Sequence, residues 1–161
     1  MRVYLGLGAN LGVPDAQVER ALLLIATLPE TSLLARSPLY RSDPVGPAGQ
    51  PDYCNAACVI DTGLAPLALL DAVQAIEVEA GRIRDGIRWA ARLLDIDLLH
   101  VEGLVLTAER LRLPHPRLQE RNWVLVPLAD IAPTLEIPGL GIVSELAAAI
   151  GTAGLRLWHR A

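Results

Sequence analysis

Hydrophobic positions recur along this chain in two rhythms, one close to every second residue and one close to every third or fourth, and their alternation sets out an order of elements. Residues 3–8, Val-Tyr-Leu-Gly-Leu-Gly, read as a strand running into a turn at Ala9-Asn10-Leu11-Gly12. Pro14 then suits the first turn of a helix, where its missing N–H costs nothing. Val18, Ala21, Leu22, Ile25 and Leu28 follow at the spacing of one helical face, which Pro29 stops. Residues 32–40 and 53–61 read as strands. In the second, Cys54, Ala56, Cys58 and Ile60 form an apolar face, with Tyr53 and Asn55 pointing the other way. Pro66 opens a second helix with a stripe of Leu69, Leu70, Val73, Ile76 and Ala80, ended by Gly81. Residues 93–101 set Leu94, Ile96 and Leu98 against Asp95 and Asp97, a strand with one wet face. This β-α-β-β-α-β order predicts an α+β, ferredoxin-like core. The tail predicts a C-terminal helical extension, with helical stretches at 124–130 and 143–150. No repeat or low-complexity linker divides the 161 residues, so one domain over 1–161 is expected.

Between the two middle strands lies Ser42-Asp43-Pro44-Val45-Gly46-Pro47-Ala48-Gly49-Gln50-Pro51-Asp52, with three prolines and two glycines. It is too long for a tight hairpin turn. Loops of this kind serve as lids and binding walls, or are plain surface excursions.

Composition narrows the chemistry. A 52% hydrophobic share with 20% charged residues describes a chain with a full core, and a net charge of −4 argues against a general polyanion binder. No nucleic-acid partner is expected. No run approaches a membrane span, and Met1-Arg2-Val3-Tyr4 lacks the form of a signal peptide, so a cytoplasmic location without membrane association is expected. All 14 cationic side chains are arginine. A P-loop lysine, a kinase strand lysine and a Schiff-base lysine are therefore excluded, and if the protein handles phosphate it does so with guanidinium and metal. Cys54 and Cys58, facing one side of a strand about 13 Å apart, are too far apart for a disulfide and read as buried thiols. His100, His115 and His159 follow no zinc-ligand spacing.

The segment from Arg82 to Asp97 concentrates the chemistry. Arg82, Arg84, Arg88 and Arg92, with Asp85 as the single acid among them, lead directly into Asp95 and Asp97. Four arginines alone suit a solvated face as well as a phosphate site. The two aspartates, two apart on a strand, project from one face with their bases about 6–7 Å apart. Such like charges need a cation between them, from arginine or from a hard divalent ion such as magnesium that keeps open positions for phosphates. Together the groups suit a magnesium-bound polyphosphate, with metal on one side and bidentate guanidiniums on the other. A second cationic window holds Arg110, Arg112, Arg117 and Arg121, with His115 fixed between Pro114 and Pro116 as a phosphate-ligand candidate. Tyr53 and Trp123 belong to the core or sandwich a flat heterocycle, whose edge Asn55 would read. Gly6-Leu7-Gly8-Ala9-Asn10-Leu11-Gly12 misses the dinucleotide fingerprint by one residue and reads as a strand-end turn.

Several blocks in order resemble the 6-hydroxymethyl-7,8-dihydropterin pyrophosphokinase family. They are Tyr4-Leu5-Gly6-Leu7-Gly8-Ala9-Asn10-Leu11-Gly12, Gln50-Pro51-Asp52-Tyr53-Cys54-Asn55-Ala56-Ala57, and Arg88-Trp89-Ala90-Ala91-Arg92-Leu93-Leu94-Asp95-Ile96-Asp97. Leu113-Pro114-His115-Pro116-Arg117, Pro127-Leu128 and Ile131-Ala132-Pro133 continue the resemblance over nearly the whole chain. It implies a ferredoxin-like fold and transfer of the terminal diphosphate of ATP to the pterin hydroxymethyl group, releasing AMP, in folate biosynthesis. It implies that Asp95 and Asp97 hold two magnesium ions with ATP, and that Arg82 and Arg92 contact phosphates during transfer. Arg84, Arg88, Trp89, Arg110, His115 and Arg121 would complete the nucleotide cradle, with Gln74 and Glu77 near the adenosine. Tyr53 and Trp123 would stack the pterin, Asn55 would read its edge and Val45 would offer backbone groups. Loops near 10–14, 44–52 and 82–92 would close over the substrates. The family often has Gly-Pro where this chain has Ala90-Ala91, threonine at Leu93 and phenylalanine at Trp123. A monomer is expected.

Two other classes fit the residues alone. Another magnesium-dependent nucleotidyl or glycosyl transferase would share the aspartate pair without needing Tyr53, Asn55 and Trp123. A nucleotide-binding ferredoxin-like module would bind without turnover.

Overall fold

Both proline-started helices form, each with its proline in the first turn. A computed structural model describes residues 1–81 and 93–159. Its elements are β1 (Arg2–Ala9), α1 (Pro14–Ala26), β2 (Thr31–Arg36), β3 (Tyr40–Ser42), β4 (Tyr53–Thr62), α2 (Pro66–Glu79) and β5 (Asp95–Val101). There follow β6 (Leu106–Thr107), β7 (Arg112–Leu113), a 3-10 turn at Leu118–Glu120, α3 (Asn122–Ile131), β8 (Glu136–Ile137), β9 (Gly141–Ile142), α4 (Val143–Ile150) and β10 (Leu155–Leu157).

The main sheet is antiparallel throughout, in the order β10-β3-β4-β1-β5, with β2 also on β4. Taking β2 and β3 as one interrupted strand, this is the ferredoxin-like arrangement. The expected single strand over 32–40 is divided because Pro38 has no N–H to give the ladder. Ser37 bridges the gap. Its N–H donates to the Ala57 carbonyl at 2.8 Å, and its hydroxyl accepts the Ala57 N–H at 2.9 Å. β2 and β3 therefore lie end to end along one edge of β4.

Helices cover both sheet faces. Val18, Ala21, Leu22 and Ile25 of α1 and Leu69, Leu70, Val73 and Ile76 of α2 pack on one face with Cys54, Cys58 and Ile60. On the other, Val124, Leu125 and Leu128 of α3 and Val143 of α4 pack with Tyr4, Ala57, Val59 and Leu99. The C-terminal extension thus contains the two expected helices and supplies the second layer; it also carries the β8–β9 hairpin and β10. Both cysteines are buried and free, and burial pushes the Cys58 thiol up to about 12.

A bulge in β5 breaks the expected alternation. Pairing with β1 steps from Leu5–Leu98 to Tyr4–His100, leaving Leu99 as the extra residue. Leu98 and Val101 consequently face α1 and α2, while Leu99 joins the α3 side. His100 is buried and its ring stacks on Tyr4 with centroids 5.9 Å apart. Among the described residues, no helix is long and apolar enough to cross a membrane.

Candidate active site

The site lies where the α3 layer stops short of one end of the sheet. Strand register places Asn55, Gly8 and Asp95 in one row across β4, β1 and β5, and Ala57, Gly6 and Asp97 in the next. With strands about 4.8 Å apart, each row spans about 10 Å. Gly6 and Gly8 carry no side chain, so the middle of the trough is floored by backbone. Gly6 and Gly8 lie inside β1, within the strand expected at 3–8, and the strand-end turn that follows closes at Gly12, whose φ is +67°.

A cavity of about 130 Å³ opens over this floor. Val45, Tyr53, Asn55 and Trp123 line it as a group, with Ser42, Asp43 and Val124 among the further contributors. The buried Asn55 donates through Nδ2 to the Ser42 hydroxyl at 2.7 Å, leaving its Oδ1 beside Gly8 over the cavity. Aromatic surface with one oriented carbonyl acceptor suits a flat heterocycle bearing N–H donors on its edge.

A second cleft of about 330 Å³ lies on the other side of the acids. Gln74, Glu77, Arg110, Arg112 and His115 line it together with Glu109. Asp95 and Asp97 line both spaces. Glu77 occupies the buried stripe of α2, and its Oε1 accepts the Ile96 N–H at 2.7 Å. That bond fixes the outer edge of β5, away from β1, between the two aspartates. Arg110 pairs with Asp71 at 2.5 Å on the rim.

His115 is held by its backbone N–H, which donates to the Leu99 carbonyl at 2.8 Å. Its Nδ1 accepts the Arg117 N–H at 3.1 Å, so the neutral ring carries its proton on Nε2, 3.9 Å from Asp97 Oδ1. Burial first, and the Arg121 guanidinium second, push its pKa down to about 4. His115 is thus a neutral N–H donor at physiological pH.

The four arginines of the second cationic window do not act together. Arg110 and Arg112 face the second cleft, and Arg117 turns to Glu120 at 3.3 Å. Arg121, expected in the nucleotide cradle, lines the first cavity instead, with its Nη1 3.6 Å from Asp97 Oδ2. Arg82, Arg84, Arg88, Trp89 and Arg92 lie outside the described residues.

Gly6, Gly8, Ser42 and Asp43 were not singled out by their chemistry in the sequence. The two glycines carried a signal, since they occupy alternate positions of a strand where a bulky residue is usual. Glu77 carried one too, as an acid on an apolar stripe.

A family model described as 7,8-dihydro-6-hydroxymethylpterin-pyrophosphokinase matches residues 4–133. The chain belongs to this pyrophosphokinase family. It is 51% identical over 154 residues to a Pseudomonas aeruginosa protein named 2-amino-4-hydroxy-6-hydroxymethyldihydropteridine pyrophosphokinase, covering 96% of this chain and 94% of the relative. A Bacillus subtilis protein of the same name is 35% identical over 157 residues, covering 98% and 90%. Among solved structures, wild-type Plasmodium falciparum HPPK-DHPS with STZ-DHP matches 92% of this chain with a TM-score of 0.70 and 14% identity. This chain spans 43% of that longer one, and the likeness is one of fold.

In this pyrophosphokinase-family site, the acid pair suits magnesium. Magnesium takes one or two carboxylates and fills its remaining positions with water and substrate phosphate, without an all-protein cage. Asp95 and Asp97 supply two such carboxylates at the mouth of both spaces, and no third His, Cys, Asp or Glu completes a metal cluster among the described residues.

Proposed function

We propose that this enzyme transfers diphosphate from ATP to the hydroxymethyl group of 6-hydroxymethyl-7,8-dihydropterin, a step of folate biosynthesis, with the pterin in the first cavity and the nucleotide in the second cleft. One observation carries the reading: two spaces, one with aromatic and amide groups and one with arginines and a histidine in its lining, share Asp95 and Asp97. An acceptor for a flat ring and a donor polyphosphate would meet at that pair.

In the first cavity, Tyr53 and Trp123 stack the pteridine and Asn55 Oδ1 accepts from its amino and ring N–H groups. Val45 closes the loop side. In the second, Gln74 lies at the adenosine end, Glu77 braces the strand that carries the acids, and Arg110 and His115 donate toward phosphate. Arg121 sits at the junction and offsets charge on Asp97. Arg82 and Arg92, with Arg84, Arg88 and Trp89, complete the phosphate contacts in this reading. Asp95 and Asp97 would hold two magnesium ions, which supply charge neutralisation on the triphosphate when bound.

The hydroxymethyl oxygen forms a bond to the β-phosphorus of ATP as the bond from that phosphorus to the α,β-bridging oxygen breaks. AMP leaves with that oxygen, and the hydroxyl proton passes to water. Such chemistry asks the protein mainly for positioning and fixed positive charge, and no strong general base is needed. A monomer working in the cytoplasm is part of this reading.

The test is incubation with ATP, magnesium and 6-hydroxymethyl-7,8-dihydropterin, with the nucleotide product identified by chromatography. AMP is expected. ADP would indicate simple phosphoryl transfer, and no product would leave a nucleotide-binding module.

A further inference from the structure

Strand β10 lies beyond the residues the family model matches, yet its Arg156 pairs with Asp43, which lines the first cavity. It pairs with β3 so that Leu155 faces Ser42, Arg156 faces Arg41 and Leu157 faces Tyr40. Two guanidiniums side by side on one face repel each other. The charges that reconcile them come from the two ends of the Pro- and Gly-rich loop at 43–52. Arg156 Nη1 donates to Asp43 Oδ1 at 3.4 Å, and its Nη2 donates to Asp52 Oδ2 at 2.9 Å. Arg41 Nη1 lies 3.7 Å from the same Asp52 oxygen, and its guanidinium sits 3.9 Å over the Trp158 ring. The Asp43 N–H donates to the Gly154 carbonyl at 3.0 Å.

The first residues of this loop form part of the wall of the first cavity. Asp43 and Val45 line it, and Ser42 and Tyr53, also lining it, flank the loop on either side. At the far end, Asn10 Nδ2 donates to Gln50 Oε1 at 3.2 Å and to the Pro51 carbonyl at 3.1 Å. A single guanidinium therefore clasps both ends of the segment, while none of Asp43, Asp52 and Arg156 lines the second cleft.

We infer that Arg156 is a positioning residue for the pteridine substrate, holding loop 43–52 in the conformation that walls its cavity. The inference rests on reading that cavity as the pteridine site. The side chains of Arg156 and Asp43 are exposed, so the ion pairs contribute little to global stability. Their effect falls on the loop. Once released, its ends sample positions in which the wall is absent, and affinity drops in proportion to the fraction of molecules that keep it.

The test compares wild type with Arg156→Ala, Arg156→Lys and Asn55→Ala, titrating each with fluorescent 6-hydroxymethylpterin and separately with a non-hydrolysable ATP analogue plus magnesium. Arg156→Ala should weaken pterin binding about three- to tenfold, leave the analogue's affinity unchanged and keep the thermal midpoint. Arg156→Lys should recover part of the loss, because one ammonium reaches one carboxylate but cannot span two. Wild-type pterin affinity should fall with added salt, and Arg156→Ala should lose most of that dependence. Asn55→Ala separates the two ideas. If it loses pterin binding while Arg156→Ala binds as wild type, the clasp is wrong and the cavity assignment stands. If Asn55→Ala also binds as wild type, the cavity is not the pteridine site and the clasp falls with it. Equal losses of pterin and nucleotide affinity in Arg156→Ala would overturn the clasp as well.

Discussion

Gly8→Ala adds one methyl group to the floor of the first cavity, and its effects on folding and on binding should part company. A Cβ built at Gly8 would lie 3.3 Å from Asn55 Oδ1, 3.8 Å from Tyr53 Cδ1 and 3.9 Å from the Cys54 carbonyl oxygen. Gly8 is not among the glycines with positive φ, so alanine adopts its backbone conformation without strain. Removing a glycine from the unfolded ensemble stabilises by about 0.4–1 kcal/mol. Against this stands the contact with Asn55, which is a few tenths of an ångström too close. Because Asn55 is held by Ser42 at 2.7 Å, its carboxamide cannot withdraw without weakening that bond. A buried hydrogen bond is worth about 0.5–1.5 kcal/mol, so the two terms nearly cancel. Stability within about 1 kcal/mol of wild type corresponds to a change in thermal midpoint of no more than about 4 °C for a chain of this size.

Binding has no such compensation. The methyl intrudes on the cavity beside Tyr53, and the Asn55 oxygen proposed to read the ring's edge is displaced at the same time. Overpacking of a fitted site costs about 1–3 kcal/mol, which is a loss of about 5- to 150-fold in pterin affinity. The assay pairs urea denaturation with fluorescence titration by 6-hydroxymethylpterin and AMP release at saturating ATP. Wild-type pterin affinity in Gly8→Ala would refute the assignment of this floor to the pteridine. A stability loss above about 3 kcal/mol would instead refute the claim that the strand tolerates a side chain there.

Asp95→Ala and Asp97→Ala should each lower turnover at least about 100-fold while leaving a cooperative urea transition, since both side chains line the two spaces and lie outside the apolar cores; near-normal AMP release from either variant would remove the metal assignment. Glu77→Ala leaves the buried Ile96 N–H without its acceptor and should cost about 1–3 kcal/mol of stability together with turnover, whereas Glu77→Gln keeps an acceptor and should restore much of both. Burial favours the neutral form of His100 and lowers its pKa below 6.5, with Glu102 opposing the shift. The unfolded chain therefore takes up this proton first as pH falls, so the stabilisation is present above about pH 6.5 and is lost below it. Urea midpoints should drop between pH 7.5 and pH 5, and His100→Phe should flatten part of that slope.

What could be read without coordinates was whatever one element carries by itself. The stripes of α1 and α2 follow from spacing within a helix, and their prolines mark their starts. Asp95 and Asp97 share a face because residues two apart on one strand must, whereas Glu77 entered only through the family resemblance. Features that need two elements were misread or missed. The arginines at 110, 112, 117 and 121 form one window along the chain, but the turn at 118–120 and the start of α3 separate them, sending Arg121 to Asp97 and Arg117 to Glu120. Leu99 reverses the alternation of β5 through a bulge that exists only in its pairing with β1. Gly6 and Gly8 fall inside the strand expected at 3–8, but no role for them was legible there, because what matters at these positions is the absence of a side chain. That absence becomes meaningful only once β4 and β5 are in register on either side and set Asn55 and Asp95 against the bare backbone between them. The site is therefore a property of rows across the sheet more than of any motif along the chain, and substitutions at the row centres should report on it more selectively than substitutions at the charged residues.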